Sequence, residues 1–144
     1  MRIYVAGASA QIDFIENFIA RLKAEGHTIS FDWTEKVRAV GSASPDDPAI
    51  RKEAALADLG GVESSEVTWV IQPENASTGA WVELGFALCL KQMEPLRQKA
   101  TRPLVIVSGP STKCIFSDLA DHRFTNREDA FTFITSIRAP ASLR

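Results

Sequence analysis

Apolar positions recur along this chain with two periods, and the periods alternate. Residues 2–6, Arg-Ile-Tyr-Val-Ala, form a short apolar run that stops at Gly7 and predicts a strand. Ile12, Ile15, Phe18, Ile19 and Leu22 then return at the spacing of a helix face, and Gly26 suits the position just past its end. Residues 28–33, Thr-Ile-Ser-Phe-Asp-Trp, predict a second strand. The following stretch, 34–48, is polar and rich in Ser, Pro and Asp, and predicts a long connection of the kind that often carries function. Residues 49–62 predict a helix closed by Gly60-Gly61, and 66–72 a strand ended by Pro73. Thr78 is suited to N-cap a helix that runs from about Gly79 to Leu96, disturbed near Pro95. Residues 103–109 are apolar enough for a strand buried on both faces. A loop, a short helix, a short strand at 122–124 and a final helix at 126–137 complete the pattern.

Strand and helix therefore alternate from end to end. The expected fold is α/β: a single doubly wound, mostly parallel sheet of about five strands with helices on both faces and right-handed crossovers. One domain is expected over 1–138, followed by a C-terminal tail, 139–144. Such sheets bind ligands beyond the carboxyl ends of their strands, at the switch in strand order. Four segments should gather there: 7–11, 33–48, 73–83 and 109–117.

Composition narrows the partners. The 144 residues are 45 % apolar and 24 % charged, with a net charge of −2 and no basic block, which argues against a nucleic-acid polymer. The longest apolar run is far too short to span a membrane, and the amino end does not read as a signal peptide. Cys89 and Cys114 lack a metal or redox spacing, and His27 and His122 lie far apart, so no metal site is expected. A reduced, cytoplasmic setting is the default expectation.

Three residues break the apolar pattern in ways that suggest chemistry. Glu83 stands among Ala80, Trp81, Val82, Leu84, Phe86, Ala87 and Leu88. As the fifth residue of its helix it is too far in to form a capping box, and its neighbours Gly79, Ala80 and Ala87 are small, leaving room beside the carboxylate. Such a group serves as a nucleophile or base, or else pairs with a Lys or Arg at the helix edge; the residues alone weigh these evenly. Asp58 shares a helical stripe with Ile50, Ala54 and Ala57, and its ordinary reading is a surface acid. Tyr4, the only tyrosine, sits three residues before the Gly7 turn, within reach of Glu83 if the first and third strands are neighbours; its ordinary reading is a core aromatic. Asp32-Trp33 ends the second strand at the ligand edge, where Trp33 either stacks on a ligand or packs against the strand end.

An N-terminal strand "IYVAG", an Asp in the second predicted helix, a strand, and then "STGAWVELGFAL" at 77–88 together resemble the nucleoside 2-deoxyribosyltransferases. They are also similar to the related 2′-deoxynucleoside 5′-phosphate N-hydrolases. The resemblance is specific at Gly79 and Glu83-Leu-Gly-Phe-Ala87, and spans roughly 2–135 in element order. It implies that Glu83 attacks C1′ of the sugar, that Tyr4 orients Glu83, and that Asp58 passes a proton to the leaving base. It further implies that Gly7, Ser9 and the rest of "ASAQ" cover the ligand, and that Ser77 and Gly79 lie against the sugar or its phosphate. The phosphate-hydrolase branch carries basic residues after the first Gly, and here there are none. The serine that this branch takes from a partner subunit matches best near Cys114, with Ser111 or Ser117 close by. The asparagine that the transferase branch takes from a neighbour has no counterpart in "RAPASLR" at 138–144.

The expected activity is cleavage of an N-glycosidic bond in a (deoxy)nucleoside or its 5′-monophosphate through a glycosyl-glutamate, with hydrolysis slightly ahead of base exchange. No cofactor is expected, and the resemblance implies a homodimer or higher homo-oligomer. The competing reading is a non-catalytic nucleotide-binding module on the same fold. A response regulator would show an acidic cluster after the first strand, where "GASA" stands, and a dinucleotide site would show G-x-G-x-x-G rather than "GASAQI".

Overall fold

The computed structural model describes residues 1–42, 45–74, 77–97, 103–110 and 114–137. Five strands form one parallel sheet: β1 (Arg2–Ala6), β2 (Thr28–Ile29), β3 (Val67–Ile71), β4 (Leu104–Ser108) and β5 (His122–Phe124), in the order β2-β1-β3-β4-β5. The helices are α1 (Ile12–Ala24), α2 (Trp33–Val40), α3 (Pro48–Ser64), α4 (Gly79–Arg97) and α5 (Arg127–Ser136), with 3-10 turns at Ser9–Gln11 and Ile115–Leu119. The expected doubly wound α/β architecture is present. Ser111 and the tail 139–144 lie outside the described residues. Among those described, no helix is long and apolar enough to cross a membrane.

The register places Tyr4 opposite Thr68 on β3, and Trp69 opposite Ile106 on β4. Strands β1, β3 and β4 are almost wholly buried, as their apolar runs require. On one face, α1 inserts Ile15, Phe18, Ile19 and Leu22, and Phe18 meets Trp69 edge-on at 5.0 Å between ring centroids. Helix α5, N-capped by Asn126 through the Glu128 amide, packs beside it with Ala130 and Ile134 buried. Helices α3 and α4 pack together on the other face. Connections leave β1 towards β2 and β3 towards β4, so the switch point lies between the ends of β1 and β3.

Three expectations need correction. The second strand is only Thr28–Ile29, and Trp33 opens a helix rather than ending a strand. The span 34–48 is therefore not one long loop, because α2 occupies most of its first half. Gly60-Gly61 does not close α3, which continues to Ser64. Asp58 thus stands clear of the unfavourable carboxyl end of the helix dipole. Near Pro95, α4 runs on to Arg97.

Gly61 is required by proximity, not by a turn. A β-carbon there would stand 2.7 Å from Phe31 Cβ and 2.8 Å from Cδ2 and Cε2 of Tyr4, inside contact distance. Gly61→Ala should cost about 1–3 kcal/mol despite the gain in helix propensity, and should push the Tyr4 ring aside. Gly60→Ala, where nothing lies within 4 Å, is the control and should be neutral or stabilising. Denaturant unfolding of the two variants checks this; equal stabilities would contradict it.

Candidate functional site

Tyr4 projects from β1 towards α3 and α4, where Gly61 admits its ring. Its hydroxyl donates to Glu83 Oε1 at 2.9 Å, within the buried interior. Glu83 is held on the second turn of α4, whose start follows Thr78: the Val82 amide donates to the Thr78 carbonyl at 3.1 Å. Flanked by fully buried Ala80 and Ala87, the Glu83 side chain is only 8 % exposed. Its second oxygen, Oε2, is buried with no hydrogen-bond partner among the described residues. An orphaned carboxylate oxygen is costly in a folded core and calls for a functional account.

Asp58 completes the cluster from α3. Burial raises its carboxyl to about 6, opposed by the Tyr4 hydroxyl, which favours its anion. Burial also raises Glu83, to about 7, with the negative charge of Asp58 adding to it and the Tyr4 hydrogen bond opposing it. Tyr4 itself is pushed far above the phenol range by burial and by the two carboxylates, so it acts as a fixed neutral donor. Two acids facing one phenol titrate as a pair, which holds about one proton between about pH 6 and about 7. The order of the two in the protein alone is the reverse of a simple nucleophile-and-acid split, since Glu83 is the more raised.

Asp58 and Glu83 line a cavity of about 700 Å³ at the switch point, and Tyr4, fully buried, stands behind them. Gly7, Ala8, Ser9 and Ala10 line one side, and Ser77, Thr78 and Gly79 line another. These are the expected segments after β1 and β3. Trp33 also lines the cavity, 8 % exposed, while its indole N–H donates to the Val5 carbonyl at 2.8 Å. Trp33 is therefore packed against the end of β1 with one side on the cavity.

Two expected residues are not brought in. Asp32, largely buried, accepts from Lys23 Nζ at 3.0 Å and from the Thr34 hydroxyl, and so ties the start of α2 to α1 instead of lining the cavity. Ser117 is fully buried in the turn after β4, its hydroxyl donated to the Cys114 carbonyl at 2.7 Å. No described residue of 109–117 lines the cavity, because β4 lies one strand beyond the switch point. Lys36, Val37 and Val40 of α2 come from the expected segment 33–48 but are not singled out by the sequence reading, and Phe31 and Glu53 lie outside the expected segments. The spacing of Trp33, Val37 and Val40 at i, i+4 and i+7 is the signal that would have found the first group. Among the described residues, no group of three or more His, Cys, Asp or Glu side chains is arranged to hold a metal.

The chain is thus a flavodoxin-like α/β domain with a buried Tyr–Glu–Asp cluster at its switch point. No family model and no curated protein matches the sequence. In structure it is similar to a 2-deoxyribosyltransferase of the psychrotolerant bacterium Bacillus psychrosaccharolyticus. The TM-score is 0.68 at 19 % identity, over 96 % of this chain and 93 % of the other. That likeness establishes the fold over almost the whole of both chains.

Proposed function

We propose that this protein is a nucleoside 2-deoxyribosyltransferase, which moves a 2-deoxyribosyl group from one base to another. The observation that carries the reading is the 2.9 Å bond from buried Tyr4 to Glu83, which with Asp58 lines a cavity at the switch point. Tyr4 holds Oε1, which leaves Oε2 to attack C1′ of the sugar. A carbon–oxygen bond forms there as the carbon–nitrogen bond breaks, and the electron pair leaves with the base, which takes a proton from Asp58. In the second half an acceptor base attacks C1′, its N–H proton passes to Asp58, and Glu83 is released. Positive charge developing at the sugar favours the Glu83 anion, and a base seated over Asp58 favours its acid form. Substrate thereby sets the proton order the reaction uses.

The sequence reading leaned towards water as acceptor. Likeness to a deoxyribosyltransferase favours a second base instead. The described residues on the sugar side of the cavity, 7–10 and 77–79, include no cation, which favours a nucleoside without a 5′-phosphate. Lys36, the cation among the described lining residues, is paired with Glu53 at 2.9 Å.

The test is chromatographic. Purified protein is incubated with ribo- and deoxyribonucleosides and their 5′-monophosphates, with and without an acceptor base. A new deoxynucleoside formed only with acceptor is the expected result. Free base without acceptor would make the protein a hydrolase, and no reaction with ligand still bound would make it a binding module. Activity should persist in excess chelator, since only side chains of this chain enter the steps above.

A homodimer is also part of the proposal. Val82 and Met93 on α4, and Ile115, Phe116 and Leu119 on the adjoining 3-10 turn, are exposed apolar side chains, with Phe116 57 % exposed and Ile115 73 %. Light scattering should give twice the chain mass, and Phe116→Asp should halve it; a monomeric wild type would refute this.

A further inference from the structure

The cavity is longer than the proposed reaction needs. Ile50, Ala54 and Asp58 line it from one stripe of α3, at i, i+4 and i+8. Trp33, Val37 and Val40 line it from one stripe of α2. The two stripes bound a slot that leads away from Asp58, and eight helical residues carry it about 12 Å to Ile50. Because Asp58 marks where the leaving nitrogen sits, the leaving base lies in the inner part of this slot. A purine ring system does not reach Ile50 from there.

Among the described residues, the outer end is lined by the apolar Val40, Pro45 and Ile50, with Ser42 beside them. Val40 is 46 % exposed and Ile50 41 %, although both line the cavity. The Lys36–Glu53 ion pair, whose two residues also line the cavity, ties α2 to α3. The arrangement is a cleft between two walls, not a flat face, and it is continuous with the cluster at Glu83. Its total volume of about 700 Å³ lies in the range that accepts ligands larger than a simple nucleoside.

We propose that the α2–α3 slot receives an apolar substituent on the leaving base, so that the substrates are nucleosides whose base carries a hydrophobic group. The inference rests on the glycosidic reading above, since Asp58 fixes the orientation of the base. Val40 and Ile50 are then the residues that determine specificity, acting through contact with the substituent.

The test uses pairs of 2′-deoxynucleosides that differ only by a benzyl group on the exocyclic amine of adenine or of cytosine. Base release is measured with the wild-type protein, Val40→Asp and Ile50→Asp, all partly exposed positions where folding is not at risk. In each pair that is cleaved, the wild type should show a kcat/KM for the benzyl member at least as high as for its parent. Either aspartate should lower that ratio about tenfold, because it places a charge where the ring would be desolvated. A wild type that prefers the parents overturns the proposal, as does a ratio that neither variant moves. An unmoved ratio with altered sedimentation assigns this edge to a second copy of the chain and overturns it equally. If no parent is cleaved, the glycosidic reading itself has failed and this inference falls with it. Parents cleaved with benzyl compounds refused fails this inference alone.

Discussion

Glu83→Gln should abolish glycosyl transfer while making the protein more stable at neutral pH. Loss of the attacking oxygen removes the covalent route, and a fall of about four orders of magnitude or more in kcat is expected. The stability gain follows from the raised carboxyl, which burial and Asp58 push up to about 7. The unfolded chain titrates this group near pH 4, so between pH 4 and 7 the folded state binds more protons. The folded state therefore loses stability as pH rises through that window, and glutamine removes the loss. The gain should approach about 2–3 kcal/mol at pH 7.5 and vanish below about pH 4. Thermal melts across that range, beside the base-exchange assay, give both readings from one variant. Retained activity would remove Glu83 from the chemistry, and a loss of stability would make it a structural partner.

Asp58→Asn should show its effect according to the leaving group. Where the base must be protonated as it departs, the variant should lose about 10²–10⁴ in kcat/KM. A 7-methylguanine deoxynucleoside, whose base is already cationic and leaves neutral, should lose far less. The pH profile is a second reading. With both acids in place, activity requires the pair to hold one proton, so kcat/KM should peak between about 6 and about 7. Asparagine removes the proton that is lost at high pH, so the alkaline limb should disappear. The acid limb reports Glu83 with Asp58 already protonated, so a neutral asparagine should leave it near its wild-type position. Equal losses on both leaving groups, with an unchanged profile, would contradict the assigned role.

What could be read in the sequence depended on whether local and tertiary demands agreed. The buried strands were plain because each is a continuous apolar run. Glu83 was conspicuous because it contradicts its surroundings, and such contradictions cluster at working sites. Helix α2 escaped notice because its one apolar stripe, Trp33, Val37 and Val40, is short and set among polar residues. Arg38 reaches Glu16 and Asp13 on α1, and Lys36 reaches Glu53 on α3, so its polar face is held by distant partners. Gly60-Gly61 reads as a stop because glycine usually signals backbone freedom. Here one of them answers to the Tyr4 ring, a neighbour 57 residues away in sequence. Ser117 was placed at the cavity from its position along the chain, whereas its hydroxyl is spent on closing its own turn.

Tyr4 is at once a central strand residue and a member of the site. The amides around it belong to a strand hydrogen-bonded on both sides, and they should exchange with solvent only when the whole domain opens. Helix α2, with only Trp33 and Thr34 buried, should exchange through local opening. On the proposed reading, the reacting end of the cavity is thus anchored to the slowest part of the protein, and the recognising end to a fast one. Changes in α2 would then alter which molecules are accepted without disturbing the atoms that act on them, an arrangement that would let substrate range drift while the chemistry stays fixed.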